Sequence, residues 1–123
     1  MPTFAQDYAS LPSSTEAAVH HARAVVNDHQ PHRTADAEHI IRAFFTAALA
    51  RTGPEGNISL ITTVTSNKIR FEIHDADAPV PGAETDPEAH RVISDLADRY
   101  GSQATRAGHM AWAELHNRRA VTT

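Results

Sequence analysis

The sequence contains no cysteine, which excludes disulfides, thiol nucleophiles and thiolate metal sites together and is in keeping with a reducing cytoplasm. Aromatic residues make up 6% of the chain, so alanine and the aliphatic side chains must supply most of any core. No apolar run approaches the ~20 residues of a membrane span. The N-terminus has neither the basic start nor the apolar stretch of a secretory signal. Clustered positive charge is missing too: the formal net charge is −4, and the one basic doublet is Arg118-Arg119, more often a solvated tail than a phosphate-docking patch. The expectation is a soluble, cytoplasmic chain that binds neither nucleic acid nor membrane.

A length of 123 residues suits one domain, which takes about 100–150 residues. The hydrophobic share of 41% is enough for a modest core. Thr3 to Ala9 reads as a short strand ended at Leu11-Pro12. Ser13 and Glu16 have the spacing of a capping box. Ala18, Val19, Ala22, Val25 and Val26 then recur at helical spacing to about Asp28. Pro31 breaks this helix. Thr34 offers a new N-cap, with Asp36 and Glu38 in the first turn. Ile40, Ile41, Phe44, Phe45, Ala48 and Leu49 make the stripe of a second helix that reaches about Arg51.

Beyond the turn at residues 52–56, Ile58, Leu60, Thr62 and Val64 alternate as in a strand. After residues 66–68 the chain returns as Ile69, Phe71 and Ile73, alternating with Arg70, Glu72 and His74. This is a hairpin with one buried and one wetter face. Residues 76–84 read as a loop. Asp86 and Pro87 open a third helix, with Val92, Ile93, Leu96 and Ala97 on its buried face and Gly101 as its terminator. A second hairpin joins residues 102–106 to 109–116, and residues 117–123 form a frayed tail. The order strand, helix, helix, hairpin, helix, hairpin implies an α/β (α+β) two-layer sandwich. An antiparallel or mixed sheet of about five strands is covered on one face by three helices.

Nine histidines invite a metal reading. His20-His21, His29 with His32, and His109 with His116 are the candidate pairs, but zinc needs three or four converging ligands and no HExxH pattern occurs. Polar surface histidines are the expectation, with no metal site, and their charge changes between about pH 5 and 8. Asp75 and Asp77 share one side of an extended segment and mimic an acid/base pair, though loop acidity gives the same pattern. Trp112 is expected in or half in the core.

The segment Leu96-Ala97-Asp98-Arg99-Tyr100-Gly101, followed by Ala111-Trp112-Ala113-Glu114-Leu115, resembles the C-terminal end of bacterial anti-sigma-factor serine/threonine kinases. These belong to the GHKL superfamily of histidine kinases, gyrases and Hsp90-type ATPases. Asp36-Ala37-Glu38-His39-Ile40-Ile41 resembles the start of that family's N box. Phe71-Glu72-Ile73-His74-Asp75 resembles its strand ending in an adenine-reading aspartate, and Leu11-Pro12-Ser13 through Ala24 its first strand-to-helix turn. The similarity spans about residues 10–116 and implies a Bergerat-type fold.

In the family, the N box carries a glutamate that assists proton transfer and, four residues on, an asparagine that helps hold Mg²⁺. The matching positions here are Ala43 and Ala47, which have neither acceptor nor acid. The family's glycine-rich phosphate loop corresponds to Asp86-Pro87-Glu88-Ala89-His90. That stretch has no glycine, and its two carboxylates would repel a triphosphate. Asp75 remains as a vestigial adenine contact. The resemblance thus implies a pseudokinase with no catalytic residue and no cofactor. Its emptied pocket would be filled by alanine-face packing, with His39, Phe44 or Phe45 leaning in. It would act by protein contact with a sigma factor, an anti-anti-sigma-like regulator or a second copy, for which the first strand offers an edge. The alternative is a divergent kinase binding ATP and Mg²⁺ through substitutes such as Asp86 or Glu88. A small-molecule or metal sensor that reuses the pocket is a third reading.

Overall fold

The computed structural model describes residues 2–52, 56–75, 87–106 and 108–117. Its elements are β1 (Thr3–Ala9), α1 (Pro12–His29), a 3₁₀ turn (Pro31–Arg33), α2 (Thr34–Arg51), β2 (Asn57–Val64), β3 (Lys68–Asp75), α3 (Pro87–Leu96), β4 (Arg99–Thr105) and β5 (Gly108–His116). The strands form one open sheet in the order β1-β2-β3-β5-β4, every neighbouring pair antiparallel. The described helices stack against this sheet as a second layer, with α2 between α1 and α3. The fold is an α+β two-layer sandwich, and the antiparallel form of the expected sheet is the one adopted.

The period-two pattern decides which side of the sheet is buried. Ile58, Leu60, Thr62 and Val64 of β2 lie beside Ile69, Phe71, Ile73 and Asp75 of β3, all buried. Ala113 and Leu115 of β5 continue the layer, opposite Phe71 and Ile69. On the helix side, Ile40, Ile41, Phe45 and Ala48 of α2 and Ala18, Ala22 and Val26 of α1 are fully enclosed. β1 pairs with β2 alone among the described residues and is exposed along most of its length.

Several local expectations are corrected. Ser13 forms no capping box: α1 begins at Pro12 with no side-chain cap, and it is Ser14 whose hydroxyl donates to the Ala9 carbonyl at 2.7 Å. Glu16 instead pairs with Arg42 of α2. Thr34 is not the N-cap of α2, because the preceding residues already coil as a 3₁₀ turn and the Thr34 hydroxyl donates back to Pro31 O at 3.0 Å. Gly101 does not end α3, which stops at Leu96. It lies inside β4, opposite Trp112, where a Cβ would meet the indole Nε1 at 2.8 Å. A glycine chosen for close approach and one chosen for a helix end look alike in sequence. The expected loop at 76–84, Asp77 and Asp86 lie outside the described residues, as do residues 118–123 of the expected tail.

Candidate functional site

Three elements leave a gap beside the end of β3. On α2, Phe44, Ala47 and Arg51 follow one another at spacings of three and four, so they share a face. On α3, Ala89 and Ile93 are also four apart and face α2, with His90 beside them. From the sheet come Ile73 of β3, His109 and Ala111 of β5, and Tyr100 to Ser102 of β4, with Trp112, whose indole lies over Gly101, at the margin. The register explains the grouping: Ala111 stands opposite both Ile73 and Ser102, and His109 opposite Asp75. Together they line a partly open cavity of about 180 Å³. His90 and Tyr100 meet edge to face at 5.6 Å.

Arg51 and His109 bring polar groups to this cavity, and both lie against the buried Asp75. Arg51 Nη2 donates to Asp75 Oδ2 at 2.9 Å, with 4% and 0% of the two side chains exposed. His109 Nδ1 lies 3.8 Å from the same Asp75 oxygen, too far for a hydrogen bond. Arg51 Nε, Asp75 Oδ1 and His109 Nδ1 are all buried and have no hydrogen-bond partner among the described residues. Burial pushes the His109 pKa below its ordinary value; the Arg51 charge adds to this and the Asp75 charge opposes it. His109 is therefore the neutral imidazole at pH 7.

Each residue singled out from sequence has a definite place. Ala47 lines the cavity, whereas Ala43 is packed in the core. Phe44 does lean into the gap, but His39 is exposed and Phe45 packs away from it, edge to face with Tyr8 at 5.5 Å. Asp75 sits beneath Arg51 and His109, its carboxylate already engaged. Glu88 is exposed and accepts from Arg91 at 2.6 Å. His20, His29 and His32 are exposed, and His21 packs edge to face on Phe4 at 5.7 Å. No three His, Cys, Asp or Glu side chains among the described residues converge as a metal site. His109 is buried, a correction to its expected surface placement: alternation along β5 puts it on the same side as Ala111, Ala113 and Leu115.

Sequence reasoning missed Arg51 as a site residue. The available signal was its position seven residues after Phe44, on the same apolar face of α2. It also missed Arg33. That side chain is 7% exposed and donates to Asp36 at 2.9 Å, Asp98 at 3.0 Å, Leu96 O at 2.9 Å and His116 O at 3.1 Å. One guanidinium thereby ties the start of α2 to the end of α3 and to β5.

The other side of the sheet carries no helix among the described residues, yet it is organised. Glu114, 3% exposed, accepts from Arg70 at 3.0 Å and Lys68 at 3.3 Å and lies 3.0 Å from His116 Nε2. Burial works to raise the Glu114 pKa; hydrogen bonds from His116, Arg70 and Lys68 outweigh it and bring the carboxyl down to about 2. The Trp112 ring lies beside Glu114 in the strand order, with the Arg70 guanidinium 4.3 Å and that of Arg99 5.9 Å from its centroid.

Fold and cavity define an open antiparallel α+β sandwich with a small, partly open, mixed-polarity pocket between its layers. No protein-family model matches the sequence, and no curated protein matches it. Among the described residues, no helix is long and apolar enough to cross a membrane.

Proposed function

We propose that this chain is a cytoplasmic regulatory protein-binding module, a pseudokinase relative of the bacterial anti-sigma-factor kinases that acts by contact and does not turn over ATP. The observation that carries this reading is the cavity between α2, α3 and the sheet. At about 180 Å³ it is smaller than the roughly 300–1,000 Å³ of a typical small-molecule site. Its α2 wall presents the Ala47 methyl, and Arg51, which also lines it, is already paired with Asp75. A triphosphate and Mg²⁺ need anchored cations and oxygen ligands, and alanine supplies neither. Contact surface is available along β1, the edge strand among the described residues, where Phe4 and the nearby Leu11 are exposed. An added strand from a sigma factor, an anti-anti-sigma-like regulator or a second copy would satisfy that edge.

The alternative, a divergent ATP-binding serine/threonine kinase, is favoured by one observation: Asp75 Oδ1 keeps an unused acceptor. Calorimetric titration of ATP, with and without Mg²⁺, separates the two. No saturable binding is expected. Binding tighter than ~100 μM, about 5.5 kcal/mol, that disappears in Asp75→Asn would establish the kinase reading instead. Capture on the immobilised chain is expected to recover a sigma factor or a sigma regulator.

A further inference from the structure

We propose that the cavity beneath α2 is a binding site for a small, uncharged, single-ring molecule bearing a carboxamide edge. Three features of the cavity select this class: its size, its net charge and the hydrogen-bonding groups left unused in its lining.

Size comes first. An apolar cavity of about 150 Å³ accepts benzene, so 180 Å³ takes a six-membered ring with one short substituent. Phe44, Ile73, Ile93 and Tyr100 supply the apolar and aromatic surface such a ring would touch. Charge comes next. Arg51 and Asp75 cancel each other at 2.9 Å, and His109 is neutral, so these three groups together carry no net charge. An anionic or cationic ligand would be buried without a counter-charge, which is strongly disfavoured. A neutral one would not.

The hydrogen-bonding pattern then chooses among neutral molecules. Arg51 has five N–H donors, and its one hydrogen bond among the described residues is that from Nη2 to Asp75. The Asp75 carboxylate 3.8 Å from His109 Nδ1 favours the tautomer with the proton on Nδ1, which leaves Nε2 as an acceptor. Side by side, the lining offers a donor from Arg51 and an acceptor from His109. A primary carboxamide is the simplest group that answers both, its carbonyl accepting and its NH₂ donating. Buried polar groups this incompletely satisfied are rare in folded proteins. The site is independent of any protein partner: it stands or falls on the cavity alone, whatever binds the edge of β1.

The test is titration of the full chain with three ring compounds of one shape, followed by Trp112 fluorescence and by amide chemical shifts. Benzamide has both halves of the polar edge. Acetophenone keeps the carbonyl and replaces NH₂ with methyl, and benzoate carries a charge. Benzamide is expected to saturate below ~10 mM, with acetophenone and benzoate each weaker by roughly tenfold or more. In His109→Phe, benzamide should fall to the level of acetophenone. Ala47→Leu, which fills the α2 wall, should abolish saturation. If that variant does not fold, Ala111→Val fills the opposite wall with the same expected result. Failure of benzamide to saturate overturns the proposal. So does benzoate or acetophenone binding as tightly as benzamide, or unchanged affinity in a folded cavity-filling variant.

Discussion

Arg51 and Asp75 lie 24 residues apart in sequence, yet their side chains meet at 2.9 Å in a place from which both are shielded from solvent. The last turn of α2 is thereby fastened to the last residue of β3. Removing either partner strands the other as a buried charge. Asp75→Ala is expected to lower stability by about 3–5 kcal/mol, whereas the double variant Arg51→Met/Asp75→Leu recovers most of that loss. Urea denaturation of the three proteins, followed by circular dichroism, measures both.

A single glycine governs the packing of the only tryptophan in the chain. The indole of Trp112 lies so close over Gly101 that a Cβ there would stand 2.8 Å from its Nε1. Gly101→Ala is expected to push the ring off its place beside Arg70 and to destabilise by about 1–3 kcal/mol. Tryptophan emission should shift with it. An unchanged spectrum together with unchanged stability would show that the ring has room to move.

Arg33 acts as a knot between three elements, since its guanidinium reaches the Asp36 and Asp98 carboxylates and two main-chain carbonyls. Arg33→Met should cost about 3 kcal/mol, because a buried guanidinium that serves four acceptors is removed. Arg33→Lys should restore less than half of it, as a point-like ammonium cannot serve four acceptors spread around a planar fork. Thermal melts of the two variants decide the ranking.

Acid should weaken the protein through Glu114. Its folded pKa of about 2 lies below the ordinary 4.5, so the unfolded chain takes up this proton first as pH falls. The stabilisation is therefore complete above about pH 4.5 and is lost on the way down to about pH 2. Glu114→Gln should be less stable at pH 7 and should show a flatter dependence of the denaturation midpoint across that window.

His109 gives a second, milder dependence of the same sign. Its pKa is depressed by burial and by the Arg51 charge, so below the ordinary 6.5 the unfolded chain binds a proton that the folded chain refuses. Stability should fall as pH drops from neutrality past 6.5. His21, depressed by burial and by His20, contributes in the same direction. In His109→Gln the slope just below pH 6.5 should be reduced, not abolished, which NMR titration of both imidazoles would apportion.

Much of the fold was legible because its causes are local. Alternation in β2 and β3 follows from the pleat, and the apolar stripe of α2 from 3.6 residues per turn. Pro31 breaks the helical run wherever it stands. These rules need only a few neighbouring residues, so the element order and the sandwich could be read directly. The capping box at Ser13 is the instructive failure. A local pattern was present, but the Ser14 hydroxyl turns to the Ala9 carbonyl, and α2 brings Arg42 to Glu16 across 26 residues.

The candidate site belongs almost wholly to the other category. Asp75 could be marked in advance as the residue that ends a buried strand, and Ala43 and Ala47 as positions lacking ligands. That Arg51 lies over Asp75, that His109 lies beside them, and that Gly101 serves Trp112 and not the end of α3 depend on strand register and helix docking between distant segments. Amino-acid order alone determined the periodicities, the breaks and the charge balance of this protein. Tertiary packing decided which charged groups were taken out of water together, because desolvation and pairing act through space and have no period along the chain.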